Sequence, residues 1–489
     1  MLTFEDVDYA RNQLLDCLGL DAPSIESSLP KPTEPLSDIL KSMLDWAAEN
    51  GLLRSNTITY RDMFDTKLMD SLLPRPSTVI QSFYQTLQAY GPEAATAIFY
   101  RFNQDANYIR SDRIALNESW FSASTYGELE ITINLSKPEI DPTAIAAAKQ
   151  EPASSYPNGL LAKENVGYSG RAGHPARQNL RIIPVSLDGQ QWYFQFSPYV
   201  YYHEHAIVFS GKQVPMAITA NTFSRLLDFV SQFPHYFIGS NADLPIVGGS
   251  ILNHDHYQAG THTFPMAKAP LKHTFSFRET PSITAGIVHW PMSVIRLQGA
   301  ARNDMEQVAA SILTKWRSYS DASAGIFAET NGEQHNTITP VARRIGEDYV
   351  LDLVLRNNRT TAEHPLGLFH PHAEVHSIKK ENIGLIEVMG LAILPGRLKG
   401  ELEEIAAILT GDDAAPRLLT SETVAKHADW ALALQQTKGD KITKENVSDL
   451  LKEQVGEIFS TVLEHAGVFK DTSEGNEGFK RFIYHLTDR

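Results

Sequence analysis

Gly248-Gly-Ser-Ile-Leu-Asn-His-Asp-His-Tyr-Gln258 is the stretch on which the reading of this chain turns. If 252–258 is a strand, alternate side chains share a face, and His254, His256 and Gln258 point the same way. Two glycines and a serine upstream allow backbone N–H groups and a hydroxyl to approach phosphate oxygens. Neutral imidazole is a good nucleophile near pH 7, so a His beside such a loop can attack phosphorus. A neighbouring amide such as Gln258 can donate to an oxygen on which charge builds. A His-x-His pair is also compatible with two hydrogen-bonded structural histidines on a strand.

The flanking sequence is rich in strands. Leu129, Ile131, Ile133 and Leu135 alternate with polar residues, as expected of a half-buried strand. Ile182–Leu187 and Gln191–Phe196 flank Asp188-Gly189, a pair suited to a tight hairpin turn with positive φ. Phe223, Leu226, Leu227 and Val230 predict a helix capped by Asn221 or Thr222. Tyr349, Leu351, Leu353 and Leu355 share a face of another strand. Residues up to about 90 and beyond about 400 have helical spacing, including Val447, Leu451, Val455, Ile458 and Val462 behind Thr443. Blocks of helices and strands, rather than strict alternation, predict an α+β fold with antiparallel sheets and helical N- and C-terminal extensions. The segments expected are 1–90, a helical extension; 91–265, a first half carrying the His-x-His motif; 266–400, a second half; and 401–489, helical.

Composition sets outer bounds. In 489 residues, 42% are hydrophobic and 21% charged, which suits a folded chain with a sizeable core. The formal net charge of −15 argues against general affinity for nucleic acid or an anionic membrane. The single cysteine, Cys17, rules out an intramolecular disulfide and any Cys-rich zinc module. The acidic N-terminus lacks signal-peptide order, and no apolar run approaches the ~20 residues that cross a bilayer. The expectation is a cytoplasmic protein.

Histidines decide where the chemistry is sought. Eight of 17 fall in residues 254–273 and 364–376. The string Gly-Gly-Ser-Ile-Leu-x-His-Asp-His-x-Gln resembles the nucleophile segment of galactose-1-phosphate uridylyltransferases, in particular the type 2 branch of Gram-positive bacteria, within the histidine-triad superfamily. The likeness extends over Asn165–Pro184, Ser197–His205, His335–Pro340, Phe369–His376 and Glu387–Pro395. It implies two histidine-triad-like halves and a homodimer. The implied reaction moves UMP from UDP-glucose to galactose 1-phosphate through a uridylyl-histidine. By position, His256 is the nucleophile, Gln258 the phosphate-contacting amide and His254 its flanking histidine. Asn241, Gly249, Ser250 and Asn179 are taken as substrate contacts.

Arg110 and Arg113 have the Arg-x-x-Arg spacing with which related transferases hold the diphosphate. Two forked guanidiniums can clamp phosphoryl oxygens, although a solvated surface pair fits the same spacing. Relatives with a zinc site use two cysteines and a histidine where this chain has Gly159, Ala162 and Gln213, so no zinc is expected there and the 157–164 loop must be held by packing, for instance through Leu160 and Leu161. His335, His370 and His372 match positions where some relatives hold a second metal, or they are packed histidines. Two other readings stay open: a nucleotidyl-histidine phosphorylase or hydrolase of the same superfamily, and a catalytically silent nucleotide-sugar-binding protein.

Overall fold

The computed structural model describes residues 3–24, 33–136, 156–249 and 251–487. The chain forms two compact units. The first comprises Met1–Leu116, Ser136–Val200 and Glu204–Val214; the second Asn117–Leu135, Tyr201–His203 and Pro215–Arg489. Helices and antiparallel strands occur in blocks, so the α+β expectation holds. Among the described residues no helix is long and apolar enough to cross a membrane.

In the first unit, the helices Val7–Leu18, Leu36–Glu49, Ile58–Asp70, Pro76–Tyr90 and Pro92–Asp105 precede an antiparallel sheet of Ile183–Leu187, Gln190–Phe196 and Ala206–Ser210. Proline opens two of these helices, where its missing N–H costs nothing. Asp188 and Gly189 both have positive φ, 51° and 67°, as the two-residue hairpin requires. Phe83 and Phe99 pack edge to face, and Phe99 meets Phe194 and Phe196 of the hairpin. Thus the helical extension shares its core with the hairpin.

The second unit holds a seven-stranded antiparallel sheet. Its order is His256–Gly260, Phe237–Gly239, Asn336–Ile345, Asp348–Asn357, Val294–Gly299, Thr284–Val288 and Leu271–Ser276. Residues directly opposite share a face. Gln258, Gly239, Val341, Asp352 and Arg296 follow one another across the sheet. His256, Thr337, Thr339, Val354 and Arg356 join that face through the two-residue repeat. The other face carries Tyr349, Leu351, Leu353 and Leu355, as read from the sequence. Tyr349 bonds Ser231 of the helix Ala220–Gln232. That helix is capped by Thr219, with Thr222 completing a capping box. The cap therefore lies two or three residues before the expected Asn221 or Thr222, because Thr222 is the residue whose hydroxyl reaches back. Similarly, Asn446 rather than Thr443 is the N-cap of the helix Val447–Ala466.

A smaller sheet pairs Glu118–Ser124 antiparallel to Gly127–Asn134, with Leu391–Pro395 parallel on the far side. Leu129, Ile131 and Ile133 are buried against Val455, Phe459 and Val462 of the helix Val447–Ala466. The alternate residues Glu130, Thr132 and Asn134 are buried as well; Glu130 is satisfied by His262 at 2.8 Å.

The charged centre of the large sheet is Asp352, fully buried. It accepts from Arg296 at 2.6 and 3.1 Å and from Arg343 at 2.7 Å. Burial pushes its carboxyl up, but the two guanidiniums outweigh that and hold it below the usual carboxylate range. Removing one member of such a cluster strands buried charge. Asp352→Ala is therefore expected to cost about 3–5 kcal/mol, read as a lower urea midpoint at unchanged slope.

Candidate active site

The strand expected over 252–258 begins only at His256. The chain bends at Asn253 and His254 instead, and the carbonyl of His254 meets the ring of the second histidine. Nδ1 of His256 lies 2.8 Å from that oxygen. A carbonyl can only accept, so the proton is on Nδ1 and Nε2 keeps its lone pair. Burial holds the imidazole down to about 4, against the opposing effect of the His254 carbonyl bond. The ring is therefore neutral and keeps one nitrogen with its lone pair, which suits it to nucleophilic attack. Gln258, two residues on, shares its face, half-buried opposite Gly239.

The turn before the strand is tightly constrained. A Cβ on Gly248 would sit 2.6 Å from the carbonyls of Ala242 and Leu244. One on Gly249 would sit 2.8 Å from the Asn241 amide nitrogen. Only glycine allows this approach. Ile246 has φ 72°, a costly conformation for a β-branched residue and one that clusters at functional loops. Asn241 accepts from Leu385 N–H at 2.8 Å. Asp243 accepts from Ile218 N–H at 2.8 Å and from the Thr337 hydroxyl at 2.5 Å. These two residues pin the loop. Ser250 lies outside the described residues. Asp255, between the two histidines, pairs with Arg225 at 3.4 Å; burial pushes its carboxyl up to about 6 despite that partner.

The arginines and Asn179 belong to the other compact unit. Arg110 bonds Asp65 at 2.8 Å, and Arg113 bonds Asp62 at 3.0 and 2.5 Å. Both guanidiniums are thus committed to carboxylates of the helix Ile58–Asp70 rather than solvated. Asn179 is buried and donates to the Ala106 carbonyl at 3.0 Å, a bond that fastens its loop to the end of the helix Pro92–Asp105.

The zinc positions of relatives do not fit a metal here. Gly159 and Gln213 are neighbours: a Cβ on the glycine would stand 3.4 Å from the Gln213 amide nitrogen. Neither glycine nor alanine offers a ligand, and a carboxamide is a poor zinc donor. Packing through Leu160 does not hold the loop, since Leu160 is 50% exposed, although Leu161 is buried. Asn165 does the holding. Its amide donates to the carbonyls of Gly159 at 2.8, Leu160 at 3.3 and Ala162 at 2.7 Å. His174 Nε2 meets its oxygen at 2.7 Å. Asn165 carries no motif signal, because the three oxygens its amide holds belong to the backbone and His174 reaches it only in the folded loop.

His335, His370 and His372 are each tied to separate acceptors: Asn358 Oδ1 at 2.8, the Pro371 carbonyl at 3.2 and the Leu368 carbonyl at 3.1 Å. The cluster whose ligand atoms converge within 4.8 Å, among the described residues, is His372, Glu374 and His465. There His465 Nδ1 accepts from the His372 backbone at 3.2 Å, so its proton sits on Nε2, toward Glu374. The ring stacks on His372 at 4.3 Å. An ion lies in the plane of each imidazole it binds, on a bare nitrogen, so this arrangement is a stack of hydrogen-bonded rings and not a ligand set.

The comparisons with known proteins agree with the motif. The family described as galactose-1-phosphate uridyl transferase matches in two parts, its N-terminal domain over residues 1–215 and its C-terminal domain over 229–432. The chain belongs to the galactose-1-phosphate uridylyltransferase family. Proteins named galactose-1-phosphate uridylyltransferase from Halalkalibacterium halodurans and Bacillus subtilis are 58% and 54% identical to it. Each alignment spans 99% of this chain, and 96% and 94% of the relative. One from Fusobacterium nucleatum is 49% identical over 100% of this chain and 96% of its own. A crystal structure of yeast Ap4A phosphorylase aligns over 62% of this chain and 90% of that one at 11% identity, with a TM-score of 0.33, a likeness too loose to carry an argument.

Two outcomes follow. An imidazole held down to about 4 stays neutral through the physiological range. The rate of its modification should be flat from about pH 8 to 5.5 and fall only as the pH approaches 4, measured by stopped or quenched reaction across that range. Asn165→Ala leaves three loop carbonyls without their donor and should lower stability by about 1–3 kcal/mol, whereas a chelator should leave the thermal midpoint of the parent unchanged.

Proposed function

We propose that this protein transfers UMP from UDP-glucose to galactose 1-phosphate through a uridylyl-His256 intermediate, giving UDP-galactose and glucose 1-phosphate. The observation that carries the reading is the single carbonyl bond that leaves Nε2 of His256 bare beside a glycine turn. Family membership supports the substrates. Nε2 attacks the α-phosphorus. The N–P bond forms as the bond to the β-phosphate oxygen breaks, and glucose 1-phosphate departs with that electron pair. A phosphate monoester is a weak base, so departure needs no dedicated acid. The ring becomes cationic, and its Nδ1–H bond to the His254 carbonyl strengthens accordingly. A phosphate oxygen of galactose 1-phosphate then attacks the same phosphorus and releases the histidine.

Gln258 and the Gly248–Gly249 backbone, with Asn241 and Ser250, are the proposed donors to the non-bridging oxygens. His254 supplies its carbonyl. A diphosphate clamp by Arg110 and Arg113 requires each to exchange its Asp65 or Asp62 partner for phosphate. Asn179 acts by holding its loop. No step passes through a metal. The reading also includes a homodimer, which rests on the resemblance alone; a monomeric mass in sedimentation would remove it.

Mass spectrometry after incubation with UDP-glucose alone should find one UMP per chain, on His256, and none in His256→Ala. Adding hexose 1-phosphate should discharge the adduct. Discharge by orthophosphate or water instead would favour the phosphorylase or hydrolase reading, and binding without any adduct the silent one.

A further inference from the structure

Arg356 is the one large cation buried to 1% exposure in the second unit's sheet. No carboxylate bonds it among the described residues. Its donors go to neutral acceptors, the Ile383 carbonyl at 2.9 Å and the Thr339 hydroxyl at 3.3 Å, and its Nε has no partner. The acid whose charge acts on it, Glu387, is occupied elsewhere, by Lys379 at 2.9 Å and the Gly384 N–H at 3.2 Å. Burial holds the guanidinium down to about 10, with Glu387 opposing, so it stays charged at neutral pH. Burying a charge without a counter-ion is costly.

What it touches leads to the nucleophile loop. Arg356 grips the carbonyl of Ile383. The adjoining Leu385 N–H holds Asn241 at 2.8 Å, and Asn382 reaches the Gly248 carbonyl at 3.5 Å. Asn241 in turn abuts Gly249. The register also puts Arg356 on the same face of the sheet as His256 and Gln258. Thr339, its hydrogen-bond partner, is two strands from that of His256, roughly 10 Å at ordinary strand spacing.

We propose that Arg356 is a positioning residue for the transfer step: it clamps segment 382–385 onto the Asn241–Gly249 turn, and its uncompensated positive charge faces the phosphoryl group that gathers negative charge beside His256. This inference rests on the function proposed above. Arginine supplies both parts, a forked donor and a fixed charge.

The test is single-turnover formation of the UMP adduct, followed by quenched mass spectrometry, which separates rate constant from amplitude. Loss of folded protein lowers the amplitude; a positioning role lowers the rate constant of the molecules that react. Arg356→Met should slow adduct formation about tenfold, the size expected of a unit charge ~10 Å away in a protein-like dielectric. Arg356→Lys should stay within about threefold of the parent. If Arg356→Met does not fold, Arg356→Gln, which keeps one donor and loses the charge, has the same expectation. A neutral variant less than about fivefold slower than the parent overturns the proposal, whatever its amplitude. A lysine variant as slow as the neutral one overturns the role of the charge. A parent that forms no adduct sinks the proposed function, and this inference falls with it.

Discussion

The hydrogen bond from His256 Nδ1 to the carbonyl of His254, 2.8 Å long, is the constraint on which the site depends. It fixes the tautomer, orients the ring and leaves the lone pair on Nε2. A carboxylate in the same place would bind the proton more strongly and raise the basicity of the ring; a backbone oxygen holds it without adding a charge. The bond spans the bend at Asn253 and His254, just before the strand starts at His256.

Around it, the protein concentrates cost. Ile246 accepts a positive φ, Gly248 and Gly249 have no room for a side chain, and Asp255 is a partly desolvated acid between two histidines. Such features persist only where the surroundings over-determine them. Here the surroundings are Asn241 on Leu385, Asp243 on Ile218 and Thr337, and Arg225 on Asp255. The sheet divides its labour accordingly. One face is aliphatic and lies under helices. The other carries buried His256, Asp352 and Arg356 and half-buried Gln258 among smaller and apolar residues.

The loop that could have carried a metal shows a different economy. Zinc holds a loop by four side chains whose types are visible in a sequence. Asn165 holds this one through three main-chain oxygens. Asn165 needs no ion to hold these oxygens, and the device is invisible to motif reading because backbone carbonyls carry no residue identity.

The α+β class, the Asp188-Gly189 hairpin, the one-faced stripe of Tyr349, Leu351, Leu353 and Leu355 and the terminal helices were determined by local pattern, because period and turn chemistry act over a few residues. The His-x-His-x-Gln motif at 254–258 was equally legible, being contiguous. What the sequence alone could not decide were the partners supplied by distant segments: the carboxylates that hold Arg110 and Arg113, the Ala106 carbonyl beneath Asn179, and the Ile383 carbonyl that takes Arg356. Those are decided by which strands pair and in what register, and register depends on packing summed over the whole unit rather than on any short string of residues.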